Sequence, residues 1–449
     1  MRTLYNILFL TGFVLAAPYY FFRLWRRGGW RRGLGQRFGR YGSKLKQALT
    51  NRNVLWVHAV SVGEANLAAK LVAALEARLP NVKMVVSATT STGMARLREQ
   101  LPPHVEKIYY PVDRRKYVQR AHNIIHPEAV ILVEAELWPN FLWQARRRDT
   151  PVFLVNARIS ERSFRRYRRF GFLFRRFFAQ LAGVCAQSER DAARLVELGC
   201  RPEAVHAVGS LKFDPPPAAA ARPVDVEKIL RHLGVPPGAP VLVAGSTHEG
   251  EEAVLAEIHR RLRARHPDLF LVLVPRHQER ARHVGHQLGR RRVRFVFRSE
   301  FSFGHDYSAR PPDCLVVNST GELRHFYERA TLVFVGKSLL GEGGQNPIEP
   351  AALGLPVLVG PHMQNFPDVL PKFLEADAIV QVADAAGLER ALDGLLDDPA
   401  RCEALGRRAR EVVARNGGAL ERTVELLVRE LPRHDDEAFV PARPGTGTA

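Results

Sequence analysis

At 449 residues the chain exceeds the length of one ordinary hydrophobic core, so two domains are expected. Apolar residues make up 46%, as in a globular protein, whereas a formal charge of +20 implies an acidic partner: nucleic acid, an anionic membrane or a phosphorylated substrate. Cys185, Cys200, Cys314 and Cys402 lie far apart without a C-x-x-C pair, which argues against a disulfide framework or a zinc site and fits a reducing compartment.

The first element runs from Leu4 to Phe22, LYNILFLTGFVLAAPYYFF, and is roughly long enough to cross a bilayer. It lacks the A-x-A cleavage site of a signal peptide. The next stretch, RLWRRGGWRRGLGQRFGRYGSKLK, has no acidic residue, so the positive-inside rule keeps it cytoplasmic. Trp25 and Trp30 suit the headgroup zone, and Pro18 with its bulky aromatic neighbours leaves a helix lying in the interface as the alternative to a span. A helix buried at the base of a domain is the competing structural reading. Residues 1–33 are therefore expected to be a membrane anchor with a basic collar, with the domains that follow on the cytoplasmic face of the membrane.

From residue 34 onward, apolar β-rich runs alternate with helical stretches. VLWVHAV, KMVVSAT, AVILVEAE, PVFLVNAR and GVCAQS are each followed by a helix-like segment, the pattern of βαβ units and a parallel sheet. The proline- and alanine-rich 215–225 segment breaks the pattern and reads as a linker. A second series follows: PVLVAGS, LFLVLVPRH, VRFVFRS, DCLVVNS, TLVFVGKS, PVLVGP and AIVQVA. The expected fold is thus α/β with two Rossmann-like domains, 34–214 and 226–432, facing a cleft, and a frayed tail at 433–449. Ligands of such sheets bind outside the carboxyl ends of the strands.

Several residues fall at those ends. Gly336-Lys337-Ser338 invites a phosphate-loop reading, but Thr331 stands where that motif requires glycine. Glu64, in AVSVGEANL, opens a helix. It either caps that helix or takes a proton from an acceptor hydroxyl. Glu134 and Glu136 end an apolar strand, and Lys212 in GSLKFD ends another. Each serves equally as an ion-pair partner or as a catalytic group. Pro275 and Arg276 follow a strand in LVPRH, where Arg276 either holds a phosphate bidentately or is solvated. Thr320, Gly321 and Glu322 form a second glycine turn at a helix start.

In GGQNPIEP, Asn346 is a cap, Pro347 a first helical residue, and Glu349 follows Ile348 in the first turn. Free amides from Gly343 to Ile348 are expected to face an anion, with Glu349 on ribose hydroxyls. His58, His248, His277, His325 and His362 are scattered at spacings that favour no metal, and no D-x-D follows a strand. No metal and no cofactor are expected. The segment ERSFRRYRRFGFLFRRFFAQL sets Phe164, Tyr167, Phe170, Phe174 and Phe177 at helical spacing, a core stripe with basic edges. It carries no RNA-module signature, so an anionic lipid headgroup suits it better than nucleic acid.

AVSVGE, VEAELWPN, NARISERSF, GSLKFD, AGSTHEGEE, LVPRH and GGQNPIEPAALGLPVLVGPHMQNF together resemble the 3-deoxy-D-manno-octulosonic acid (Kdo) transferases, over nearly the whole chain. The resemblance implies a GT-B glycosyltransferase moving Kdo from CMP-Kdo to lipid IVA, a lipid A precursor, with inversion and without a metal. It implies Glu64 as general base and Glu134 and Lys212 as transition-state stabilisers. Pro275, Arg276, Thr320, Gly321, Glu322, Asn346, Pro347, Ile348 and Glu349 would hold CMP. Where the family often has Gly-Gly-Ser, this chain has Gly336-Lys337-Ser338; Lys337 either contacts the donor or is solvated. A basic membrane adaptor would not need carboxylates at strand ends, and an epimerase would not need the anchor.

Overall fold

The computed structural model describes residues 2–26, 33–134, 137–214 and 224–431. Glu136, Trp30, the linker before Val224 and the 433–449 tail lie outside the described residues. The chain forms two compact units, Met1–Pro217 with Gly418–Ala449, and Ala218–Gly417.

The first unit carries seven parallel strands: β1 (Val54–Ala59), β2 (Lys83–Ala88), β3 (Glu106–Tyr109), β4 (Ala129–Val133), β5 (Val152–Ala157), β6 (Gly183–Ala186) and β7 (Val205–Ala207). Their order is β3-β2-β1-β4-β5-β6-β7. The central strands read as nearly continuous apolar runs, broken only by His58 and Asn156 close to their carboxyl ends, because helices cover both faces of the sheet. Polar groups inside are paired: the buried Trp56 indole donates to Ser87 Oγ at 2.8 Å. Strands β3 and β7, absent from the predicted series, are short edge strands with partly exposed residues such as Glu106 and His206. Chain direction across the sheet reverses between β1 and β4.

One predicted boundary is corrected. The helix Ala419–Glu430, assigned from sequence to the second domain, belongs to the first unit. Its Val424 and Leu427 join Leu71 and Leu75 of the helix Val62–Arg78 in one core cluster. Asp214 fixes its start, accepting from the Gly418 and Leu420 amides at 2.6 and 2.7 Å. Helical periodicity shows that a face must be buried but not against which sheet.

The N-terminal helix spans Arg2–Arg26 with Pro18 inside it. Its first turns are fastened to the unit. Tyr5 Oη donates to Asp113 Oδ2 at 2.8 Å, and Asn140 Nδ2 donates to Asn6 Oδ1 at 2.8 Å. Asp113 also accepts from the Asn140 and Phe141 amides and so caps the helix Pro139–Arg146; burial pushes its carboxyl up to about 6. Farther along, Leu8, Val14, Leu15, Tyr19 and Phe22 are 54–76% exposed. Among the described residues, no helix is long and apolar enough to cross a membrane.

The Arg/Phe segment is two helices, Glu161–Arg169 and Gly171–Phe178, broken at Phe170. Phe164 is buried, and Tyr167, Phe174 and Phe177 pack on the core, as the stripe predicts. Phe170 departs from it, because the break turns that ring outward to 42% exposure.

The second unit repeats the scheme with β8 (Val241–Thr247), β9 (Phe270–Pro275), β10 (Phe295–Phe297), β11 (Cys314–Val316), β12 (Leu332–Val335), β13 (Val357–Val359) and β14 (Val380–Gln381). The order is β10-β11-β9-β8-β12-β13-β14, so this sheet reverses between β8 and β12. Gly245 is required there: a Cβ would stand 2.0 Å from the Tyr327 hydroxyl oxygen. Asp225, from the predicted linker, caps the helix Val226–His232 through the Lys228 amide at 2.9 Å.

Candidate active site

In the first unit, polar residues gather where the strands end. Glu64 is the third residue of the helix after β1, and its side chain is 9% exposed. Its amide donates to Ser61 Oγ, while Glu64 Oε1 accepts from that hydroxyl at 2.9 Å and Oε2 from the Val60 amide at 2.8 Å. This is a capping box, the structural alternative weighed for Glu64. The same bonds lock the rotamer of a carboxylate at the sheet reversal, where a ligand is expected.

Across that reversal, Glu134 follows β4 with φ 64°, a left-handed conformation uncommon for a residue with a side chain. The buried Asn156 at the end of β5, also left-handed at φ 52°, links the predicted groups. Its Nδ2 reaches Glu134 Oε1 at 3.5 Å, and its Oδ1 accepts from the Leu211 amide at 3.0 Å. That second bond fixes the turn carrying the half-buried Lys212. Sequence reading missed Asn156, although NAR stands in one of the quoted motifs.

In the second unit, Pro275 ends β9 and the exposed Arg276 follows, its amide donating to the Thr247 carbonyl at 3.0 Å. Thr320, Gly321 and Glu322 form the turn after β11; Gly321 has φ +84°, and Arg298 Nε donates to Glu322 Oε2 at 2.8 Å. The helix Ile348–Ala352 has Pro347 at its N-cap, so neither Asn346 as cap nor Pro347 as first helical residue holds; Asn346 stands one residue earlier, its Oδ1 accepting from the Ile348 amide at 3.0 Å and its Nδ2 lying 3.4 Å from Oε1 of the exposed Glu349. The charge of Glu349 adds to burial in raising the Tyr327 phenol, so the two groups are neighbours.

Another expectation fails in part. Among the amides from Gly343 to Ile348, all but that of Asn346 are closed to an anion. Gly343 donates to Gln364, Gly344 to the Lys337 carbonyl, Gln345 to the Gly336 carbonyl and Ile348 to Asn346, while Pro347 has no N–H. The glycines let the loop fold back on itself, with φ +115° at Gly343 and +70° at Gly344.

The Gly-Lys-Ser amides do hold an anion, but an internal one. Glu251, fully buried, accepts from the backbone N–H groups of His248, Lys337, Ser338 and Leu339 at 2.7–3.0 Å. Beside it the buried Glu252 pairs with Arg280 at 2.9 Å and takes the Thr247 hydroxyl at 3.0 Å. These acids stand in the quoted motif AGSTHEGEE; what sequence did not show was that the loop after β12 wraps around one of them.

His248 and His277, scattered in sequence, bring their ring centroids to 5.8 Å because β8 and β9 are neighbours. Arg276 and Lys337 make this strand end cationic. His58 is buried in the first unit, and His325 and His362 join no such group. Among the described residues, one set of metal-type donors lies within 4.8 Å: His266, Asp393 and Asp397. It stands at the amino end of β9, and Arg265 already bonds both carboxylates.

Carboxylates at one sheet reversal and cations at the other suit a reaction that takes a proton from an acceptor and releases an anionic leaving group. On a two-Rossmann framework, these features define the GT-B glycosyltransferase class. A family model described as 3-deoxy-D-manno-octulosonic-acid transferase (kdotransferase) matches residues 32–215. The chain is 35% identical over 429 residues to the 3-deoxy-D-manno-octulosonic acid transferase of Bordetella pertussis, covering 92% of this chain and 96% of that one. Against the transferase of Haemophilus influenzae the figures are 32% over 407 residues, with 90% and 93% covered.

The chain belongs to the family of Kdo transferases and is a Kdo-transferring enzyme of lipopolysaccharide biosynthesis. A solved UDP-GlcNAc 2-epimerase from Neisseria meningitidis matches with a TM-score of 0.53 over 84% of this chain and 100% of that one; at 14% identity the likeness is one of fold.

Proposed function

We propose that the protein transfers Kdo from CMP-Kdo to lipid IVA with inversion and without a metal, using Glu64 as the general base. The observation that carries this reading is the pair Glu64 and Glu134, which follow the two strands between which the first sheet reverses. Glu64 removes the proton of an acceptor hydroxyl as its oxygen bonds to the anomeric carbon of Kdo. The bond to the CMP phosphate breaks, and its electron pair leaves with CMP. Glu134 and Lys212 balance charge around the transition state.

Arg276 takes the phosphate, beside Pro275. The Thr320–Glu322 turn and Asn346–Glu349 frame the nucleotide, with Glu349 on the ribose. Most of the loop amides are engaged, so Arg276 carries more of the phosphate than a helix terminus does. Incubating the protein with CMP-Kdo and lipid IVA, with and without EDTA, and weighing the lipid products tests the reading. Lipid heavier by Kdo in both samples is expected. No product would overturn the donor and acceptor assignment, and product only on adding a divalent ion would overturn the metal-free step.

Glu349→Ala is expected to weaken CMP binding by roughly 1–3 kcal/mol, the range for hydrogen bonds to a charged group. If Glu349 only supports the Asn346 turn, calorimetry will show unchanged affinity and a thermal scan will show a melting point a few degrees lower.

The N-terminal helix lies in the inner membrane interface on the cytoplasmic side, with the anionic lipids there as partners of the basic collar. Its 54–76% exposed Leu8, Val14, Leu15, Tyr19 and Phe22 support this placement. Removing the residues before Gly33 is expected to abolish co-sedimentation with anionic vesicles while leaving the circular dichroism of the α/β units intact. Loss of folded signal would assign the helix to the core instead.

A further inference from the structure

The second sheet reverses between β8 and β12, and the two residues facing that reversal are His248 and Lys337. A doubly wound sheet binds its ligand at such a point. Both backbones are pinned by the same oxygen: the His248 and Lys337 amides donate to Glu251 Oε2 at 2.9 and 2.7 Å. The clamp sets the two side chains next to each other, and the Glu251 charge is spent on amides below them.

Lys337 is held at φ 56°, where glycine is the comfortable residue, and Ser246 at the end of β8 has φ 55°. Strained non-glycine residues paired at a ligand-binding strand end mark a site. Lys337 is half-buried and makes no ion pair among the described residues.

The imidazole of His248 is placed differently. Its Nδ1 lies 3.2 Å from the Ser246 carbonyl, so in the neutral ring Nδ1–H donates there and Nε2 is left as an acceptor. Burial, with Lys337 and His277 nearby, lowers the imidazole's pKa and favours that neutral form. A neutral acceptor suits a sugar hydroxyl and repels a carboxylate. The ammonium of Lys337 is the anion partner of the pair.

We propose that Lys337 binds the carboxylate of the sugar acid in the donor, with His248 receiving one of its hydroxyls. This rests on the donor reading above, in which Arg276 already takes the phosphate. CMP-Kdo carries a second negative group on the sugar itself, and a second cation across the crevice fits it. Lys337 then adds a cation for the sugar acid at a position where the family often has glycine.

Lys337→Gly tests this without threatening the fold, since glycine relieves the backbone at φ 56°. The KM for CMP-Kdo is expected to rise about tenfold or more, while the inhibition constant of free CMP, which lacks the carboxylate, stays unchanged. The melting temperature is not lowered, and Lys337→Arg restores most of the loss. Equal weakening of CMP and CMP-Kdo would overturn the assignment by moving Lys337 to the phosphate. No change in either would overturn it by removing Lys337 from the donor. A wild-type protein that binds neither CMP nor CMP-Kdo would overturn the donor reading itself, before any substitution is compared.

Discussion

Glu64→Gln is expected to lower turnover about 10²–10⁴-fold, the contribution of a positioned general base, with CMP affinity unchanged. The amide oxygen can still accept one of the bonds that Glu64 receives from Ser61 Oγ and the Val60 amide, so the helix start survives. What is lost is the ability to hold the proton of an acceptor hydroxyl. Rate measurements at saturating CMP-Kdo, beside CMP titration and a thermal scan, separate chemistry from capping. A variant with near wild-type turnover and a lower melting point would reduce Glu64 to its capping box.

Glu251→Ala is expected to destabilise the second unit by roughly 3–5 kcal/mol, because it leaves several buried amides without an acceptor. The carboxylate takes His248, Lys337, Ser338 and Leu339 in a fully buried position. Urea titration followed by circular dichroism measures the loss. A change below about 1 kcal/mol would mean that the loop finds other acceptors, and the clamp would then set no geometry at this strand end.

The alternation of apolar runs made most strands of both sheets legible, since strands buried on two faces must be apolar throughout. The short edge strands β3 and β7 escaped because partly exposed residues such as Glu106 and His206 need not be apolar. Glu64, Glu134, Lys212 and Arg276 were visible as polar residues at strand ends, and the structure places each there. The phosphate-loop reading of Gly-Lys-Ser failed on spacing, and the anion that these amides do hold, Glu251, was not visible in sequence. Glu251 precedes that loop by 86 residues, and only the adjacency of β8 and β12 brings them together. Asn156 looked like an ordinary strand residue until its left-handed backbone showed it joining two other strand ends.

The helix Ala419–Glu430 has a consequence for synthesis on the ribosome. The first unit begins the chain, yet its closing helix is made only after the whole Ala218–Gly417 unit has been translated. At roughly 5–20 residues per second, that intervening unit takes on the order of 10–40 seconds to emerge. Throughout that delay, the apolar face that Leu71 and Leu75 later share with Leu427 has no cover. The nascent first unit therefore waits for a defined interval with part of its core unfilled, and is completed only when the last helix arrives.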